Sequence, residues 1–467
     1  MSNKRLIGHI KKYTTFEWLV FIKILENKSD DELLKLESNQ MERYNLQNSN
    51  WYSKLLDLAL RLSDYKKTKV KLDILPRAQD YRAFIKLYLE SYDSESDFKA
   101  DLDYSLDLAF TKYMYEQNKH YAPPVNSMGR LIELYSTKEL LFKEFFGLTP
   151  KQILYFFTLN NAKHNIYEPF DFTNMLRLIK GYDNKITETQ LKKFLDIFSK
   201  SIKHYRLEAR KLGITKNTMK SIRLIEQYPI VELGKDYYLI ASINILLESL
   251  SYKIFTILYK EVKNSENFKR SFGDTFENYL RTLTKFSHNE YFYECDELVK
   301  KEGNRKAEFY LMKDDTTLVI ESKLLHIDEN IILNGSAVEL EDKFKNTIFS
   351  ALDQIDICFK KLDALNKFAV IVIHTHMPLL ENFIRVFKYK CKYDFLDNVM
   401  ILSVVDYEIM IHNSFERIIE YFETPYTNEK SQVSLYFEKR NKFLEASCLK
   451  LISDLKNKIE QESDLKI

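Results

Sequence analysis

AEFYLMKDDTTLVIESK, residues 307–323, reads as a strand, a turn built on two aspartates, and a second strand. Most of its residues suit any buried sheet. Charged groups inside apolar strands are costly to bury unless they are paired or bound to a metal. Glu308, Glu321 and Lys323 are such groups, and what compensates them decides what the hairpin is for.

Side chains alternate between the faces of a strand, so Thr317, Val319, Glu321 and Lys323 share one face while Leu318, Ile320, Ser322 and Leu324 share the other. Glu321 and Lys323 then stand about 7 Å apart along the strand. On the preceding strand Glu308 falls with Tyr310 and Met312, and Ala307 with Phe309 and Leu311. With Lys313-Asp314-Asp315-Thr316 as the connecting turn, the strands pair antiparallel and Glu308 comes near Glu321. Two carboxylates and an amine converge.

That grouping suits metal-assisted hydrolysis of a phosphodiester. Two carboxylates with the Ser322 carbonyl offer hard oxygen ligands to Mg²⁺, with Mn²⁺ as a substitute, and Mg²⁺ keeps waters and binds phosphate. Such an ion acidifies bound water and stabilises developing charge. Lys323 is placed to orient or deprotonate that water.

The elements around the hairpin follow the order α-β-β-β-α-β-α-β. A helix in DTFENYLRTLTKF precedes β-like YFYECDELV, AEFYLMK and TTLVIESKLL. A long helix within ELEDKFKNTIFSALDQIDICFKKLDAL, a buried strand KFAVIVIHT, a helix LLENFIRVFKYK and a last strand NVMILSVVDYEIMI complete the series.

A carboxylate at one strand and E-x-K thirteen residues later, in this order of elements, resembles the PD-(D/E)XK nuclease superfamily, whose fold is restriction-endonuclease-like. The resemblance covers roughly residues 264–412. Members usually carry Asp at the first strand position, where this chain has Glu308 after Ala307. By the same resemblance, Glu277 in GDTFENYLRTL matches a carboxylate on the helix before the sheet that completes the metal shell. Gln354 in SALDQIDICFKKL resembles the glutamine that follows E-x-K in the branch typified by the RecB nuclease; Cys358 stands where that branch commonly has Tyr. The resemblance implies catalytic roles for Lys323, Glu321, Glu308, Glu277 and Gln354, and Mg²⁺ held by Glu308, Glu321, Glu277 and Ser322.

Each residue also has a plainer role. Glu321 and Lys323 suit an edge-strand ion pair, which adds little stability. Asp274-Thr-Phe-Glu277 has capping-box spacing. His374 and His376 end a strand without a third zinc ligand at a recognisable spacing. Asp406 and Glu408 read as ordinary residues near the sheet's end, Lys66, Lys67, Lys69 and Lys71 as a solvated run, and Lys343, Lys345, Lys360 and Lys361 as the better phosphate contacts.

Residues 1–225 carry helical spacing nearly throughout, as in FEWLVFIKIL and QLKKFLDIFSKSIKHY, with breaks at Pro76, at Pro123-Pro124 and at Thr149-Pro150, a cap followed by a first-turn proline. Residues 226–262 read as a short hairpin around Gly234-Lys235-Asp236 and a connecting helix. The expected organisation is an all-α region (1–225), this connector (226–262), a restriction-endonuclease-like αβββαβ core (263–412) and a helical C-terminal extension (413–467), a multidomain α plus α/β chain.

With 467 residues, 45% hydrophobic and 30% charged, the chain is long enough for two or three cores. Its net charge of +2, from 70 basic and 68 acidic residues, makes any nucleic-acid surface a local one. The longest apolar runs, such as FAVIVI, are too short to span a bilayer, the first residues lack a secretory pattern, and Cys295, Cys358, Cys391 and Cys448 form no CxxC pair. A cytoplasmic protein without a membrane partner is expected. No GxxxxGK[ST] loop is present, so a nucleotide-driven step would come from a partner subunit. The expected activity is that of a metal-dependent nuclease, DNA rather than RNA its substrate, cutting as an endonuclease in bacterial restriction or antiviral defence, with a homodimer or a defence complex as its assembly. The alternative is an inactive nuclease-fold protein that binds nucleic acid or nucleates assembly.

Overall fold

The computed structural model describes residues 2–26, 49–66, 75–93, 124–163, 169–212, 224–261, 265–298, 306–325, 337–374, 393–423, 437, 441–451 and 453. Helix predominates, with two small sheets. The chain divides into two compact units: Met1–Asp97, Ser127–Ile254 and Ser447–Ile467 form one, Phe98–Asn126 and Phe255–Ala446 the other. No described helix is long and apolar enough to cross a membrane.

The first unit buries an aromatic core in which Trp18, Trp51, Tyr52, Tyr81 and Phe84 are nearly or wholly inaccessible. The Trp18 indole N–H donates to the Ile10 carbonyl at 3.0 Å, which lets so large a polar-tipped ring sit inside. The helix Pro150–Lys163 opens as its sequence predicts. Thr149 Oγ1 accepts from the Gln152 N–H at 3.2 Å, and the Gln152 side chain accepts from the Thr149 N–H at 2.9 Å.

This unit is not all-helical. Strands β1 (Phe170–Asp171) and β2 (Ser199–Ser201), both within the region read as helix, flank the expected hairpin β3 (Ile230–Gly234) and β4 (Tyr237–Ile240) in the order β1-β4-β3-β2. Both are too short for a period to show, and each lies next to a strongly periodic helix, Phe172–Tyr182 or Glu188–Phe198.

The second unit holds a five-stranded sheet, β5 (Phe292–Glu294), β6 (Phe309–Lys313), β7 (Thr316–Lys323), β8 (Asn366–Ile373) and β9 (Val399–Ser403), in sequential order. β5, β6 and β7 pair antiparallel, and β7, β8 and β9 parallel. The β6–β7 turn is the two-aspartate one, with Asp314 at φ 51°, a left-handed backbone that Asp tolerates better than most residues. Helices α1 (Ser265–His288) and α2 (Cys295–Leu298) flank β5, and α3 (Ala337–Lys361) joins the parallel strands β7 and β8, as a parallel pair requires. On one face Ile348, Ala351, Leu352 and Ile355 of α3 pack with Tyr310, Val319, Ile371 and Ile373. On the other face the rings of Phe272 and Phe276 of α1 lie 5.2 and 5.4 Å from that of His374, just past β8. Covered on both sides, the interior strand β8 is a nearly continuous apolar run.

One expected strand is half helix. β9 stops at Ser403, and α4 (Val404–Ile411) follows because the Ser403 hydroxyl accepts from the Asp406 N–H at 3.2 Å, an N-cap. Helix α4 is pinned to α1 by Tyr279 to Glu408 at 2.7 Å, Thr284 with Tyr407 at 2.6 Å and His288 to the Ile411 carbonyl at 2.9 Å. Asp406 and Glu408 are therefore buried helix residues rather than strand-end ones. A further helix, α5 (Phe415–Glu423), opens the stretch read as a C-terminal extension; it falls within this unit. The helix expected in LLENFIRVFKYK, with His376, Cys391, Lys67, Lys69 and Lys71 and the side chains of Lys343 and Lys345, lies outside the described residues.

Candidate active site

Register places the carboxylates. β6 and β7 pair from Lys313–Thr316 at the turn to Phe309–Ile320, where β6 begins. Glu308 is thus one residue ahead of the strand, its N–H donating to the Ile320 carbonyl and its carbonyl accepting from the Cys295 N–H, both at 3.3 Å. The alternation expected of it breaks here: Ala307 joins the α3-side core together with Tyr310, so the two are no longer on opposite faces. The Glu308 carboxylate accepts from the Ser322 hydroxyl at 3.4 Å and lies against Glu277 of α1. Glu308 is near enough to Glu321 for their charges to interact, at the open end of the hairpin.

The Ile320 carbonyl faces β6, and the Lys323 carbonyl faces the other way, accepting from the His374 N–H at 3.3 Å. By alternation the Ser322 carbonyl points to the β6 side, past the point where the β6 ladder has ended. An acceptor in that position is available to a ligand at the Glu308 end of the sheet.

Glu321 is fully buried. Its Oε1 is paired with the Lys323 ammonium, and its Oε2 has no hydrogen-bond partner. The Lys323 ammonium also donates to Gln354 Oε1 at 2.6 Å, and Gln354 Nε2 donates to the Lys306 carbonyl at 2.7 Å. Gln354, on α3, therefore fixes the lysine from one side while Glu321 fixes it from the other. The edge-strand ion pair is excluded by geometry, because β7 is interior to the sheet and Glu321 has no exposure.

Burial pushes the Glu308 carboxyl up to about 9, reinforced by the charges of Glu321 and Glu277. Burial raises Glu321 to about 7 against the opposing pull of Lys323. Each group is held back from ionising by lost solvation and by like charge. With Glu308 and Glu321 both ionised, the site would carry more negative charge than Lys323 alone offsets.

Helix α1 runs unbroken through Asp274, so Asp274 and Glu277 form no capping box. Glu277 is bound by the Arg281 guanidinium one turn along. Arg281 also reaches Glu294 Oε1 at 3.1 Å and Asn278 Oδ1 at 2.6 Å. Arg281 and Glu294 are not among the residues expected from the sequence; the four-residue spacing from Glu277 to Arg281 is the available signal. His374 is enclosed by aromatic rings, with Phe255 at 4.5 Å. Lys360 pairs with Asp356 at 2.5 Å and, like Lys361, is exposed near the end of α3.

Among the described residues no group of three or more His, Cys, Asp and Glu side chains is arranged to hold a metal ion. An ion at this site would rest on Glu308 and Glu321, the Ser322 carbonyl and water, a donor set of hard oxygens that fits Mg²⁺ or Mn²⁺. The unpartnered Glu321 Oε2 is the observation in its favour, since a buried carboxylate oxygen is costly to leave unsatisfied. Comparison with known proteins found no matching family model, no matching curated protein and no matching solved structure.

Proposed function

We propose that the second unit hydrolyses phosphodiester bonds as a metal-dependent nuclease of PD-(D/E)XK type. The observation that carries the reading is a fully buried Glu321 whose Oε2 lacks a hydrogen-bond partner, next to a lysine held on two sides and a second carboxylate that burial keeps protonated. The β5–β9 order, antiparallel then parallel, with helices on both faces, is compatible with a restriction-endonuclease-like core.

In this reading Glu308, Glu321 and the Ser322 carbonyl take a divalent ion, which supplies charge neutralisation at the phosphate and an acidified water. Lys323 sits one strand pleat from Glu321 and orients or deprotonates the attacking water. Its ammonium can lose the Glu321 contact without losing its position, because Gln354 still holds it. Glu277, bound to Arg281, lies beside Glu308 and helps push its carboxyl up. DNA is the substrate we favour, cut internally, with restriction or antiviral defence as the setting; the resemblance alone supports these finer points. A homodimer or a partner subunit would bring two such sites to a duplex.

A second reading is a nuclease fold retained for binding or assembly. It is favoured by one contact: Glu277, the third carboxylate of the resemblance, is already engaged by Arg281.

The test incubates the full chain and Lys323→Ala with linear, circular and single-stranded DNA and with RNA, in Mg²⁺, Mn²⁺ or EDTA. We expect cleavage by the unmodified chain only, abolished by EDTA, and reduced at least about 10²-fold by the substitution. Equal cleavage by both proteins, or cleavage that persists in EDTA, would sink the assignment.

A further inference from the structure

Cys295 and Cys358 are both fully buried and both free, and their Sγ atoms lie 3.7 Å apart in a shared hydrogen bond. Neither takes part in the proposed chemistry. Both meet the short segment that carries Glu308. The Cys295 N–H donates to the Glu308 carbonyl at 3.3 Å, and Cys358 packs in the same buried cluster as Ala307. Cys358 is also one helical turn beyond Gln354, the residue that holds Lys323. Two sulfurs thus bracket residues 307–308 from α2 and α3.

We infer that Cys295 and Cys358 form a reversible disulfide that switches the candidate active site off. A disulfide needs its sulfurs about 2.05 Å apart. Closing the gap from 3.7 Å draws α2 and α3 together across the Ala307–Glu308 segment, and interiors transmit such a shift rather than absorb it. Glu308 and Gln354 are the groups displaced.

The chemistry balances with a peroxide as oxidant. Cys358 is the nucleophile, since the Cys295 thiol 3.7 Å away holds the Cys358 thiol below its usual range while the same pairing pushes Cys295 up. Its thiolate attacks one peroxide oxygen, breaking the O–O bond, and gives a sulfenic acid and hydroxide, which takes up the thiol proton to become water. The Cys295 sulfur then attacks the sulfenic sulfur, and the S–O bond breaks to release a second water. Two thiols have lost two electrons and two protons, and one peroxide has become two waters. Access comes through α2, a four-residue helix that follows the three-residue edge strand β5, the sort of element that opens without global unfolding.

The inference rests on the nuclease reading for its consequence but not for its chemistry, and two readouts separate them. The folded full chain is treated with hydrogen peroxide, alkylated and peptide-mapped. A peptide pair linking Cys295 to Cys358, removed by dithiothreitol, is expected; both cysteines recovered as free thiols, or linked only after denaturation, would overturn the disulfide. In parallel, cleavage by the reduced chain should fall about 10²-fold on oxidation and return with dithiothreitol, a loss in proportion to an ångström-scale misplacement. Cys295→Ala, or Cys358→Ala where the first folds poorly, should keep its cleavage through peroxide. A linked pair with unchanged cleavage overturns the switch. A reduced chain that cleaves nothing overturns the nuclease reading, and with it the switch, while the map still decides the disulfide.

Discussion

Gln354 makes two hydrogen bonds from one amide, to the Lys323 ammonium and to the Lys306 carbonyl, and so ties α3 to both arms of the β6–β7 hairpin at its open end. Replacing it with Leu removes both while keeping volume near the apolar residues of α3. We expect Gln354→Leu to lower kcat about 10–100-fold with KM little changed, because the lysine is freed rather than the substrate released. Gln354→Glu keeps an acceptor for the ammonium and should recover part of the rate; a Leu variant as active as the parent would remove Gln354 from the site. Glu321 and Lys323 were legible because an E-x-K pair on a buried strand stands out against apolar surroundings, whereas Gln354 was reached only through the resemblance. The orientation of Glu308 was not legible, because alternation holds only inside a strand and β6 begins one residue later. The engagement of Glu277 by Arg281 was equally hidden, since a four-residue spacing on a charged helix face is common and gives no sign of which carboxylate it orders.

Helices were easier to read than where they stop. Thr149-Pro150 predicts a start that the fold keeps, because a capping side chain and a proline act through local bonds that tertiary packing has no reason to undo. In NVMILSVVDYEIMI an unbroken apolar run fits either a buried strand or a buried helix, and the one local signal, Ser403 three residues before Asp406, decides the changeover. Gly147 shows a stop of the opposite kind. It ends the helix Glu139–Phe146 at φ 80°, its N–H bonded to the Lys143 carbonyl at 2.8 Å, and a Cβ there would collide with the Gln190 carbonyl oxygen. Gly147→Ala therefore meets a backbone atom as well as an unfavourable φ, and we expect it to destabilise the first unit by at least about 2 kcal/mol. Urea denaturation followed by tryptophan fluorescence checks this, since both Trp18 and Trp51 lie in that unit's core; an unchanged midpoint would mean that the Gln190 backbone yields freely.

At the scale of the molecule, the raised carboxylates link stability to pH and to metal. Glu321 is raised to about 7 and Glu308 to about 9, from an ordinary 4.5. Both groups are more easily protonated in the folded chain than in the unfolded one, so their contribution to stability is complete below about pH 4.5. It is lost as pH rises, through about 7 for Glu321 and about 9 for Glu308. Without metal, the second unit should melt at progressively lower temperature between pH 5 and 9. A divalent ion reverses the sign, because it needs the carboxylates ionised and its binding releases their protons. Mg²⁺ affinity should accordingly rise across the same interval, and the melting temperature gained from saturating Mg²⁺ should be small at pH 6 and large at pH 8.5. At a concentration about 100 times Kd the gain is about 2.7 kcal/mol. Scanning calorimetry at four pH values, with and without Mg²⁺, measures both trends on one protein. In Glu321→Gln the Mg²⁺ gain should vanish at every pH, while the decline above pH 7 that belongs to Glu308 persists. A gain that is independent of pH, or one that survives Glu321→Gln, would place any Mg²⁺ site elsewhere in the chain and detach the buried carboxylates from metal binding.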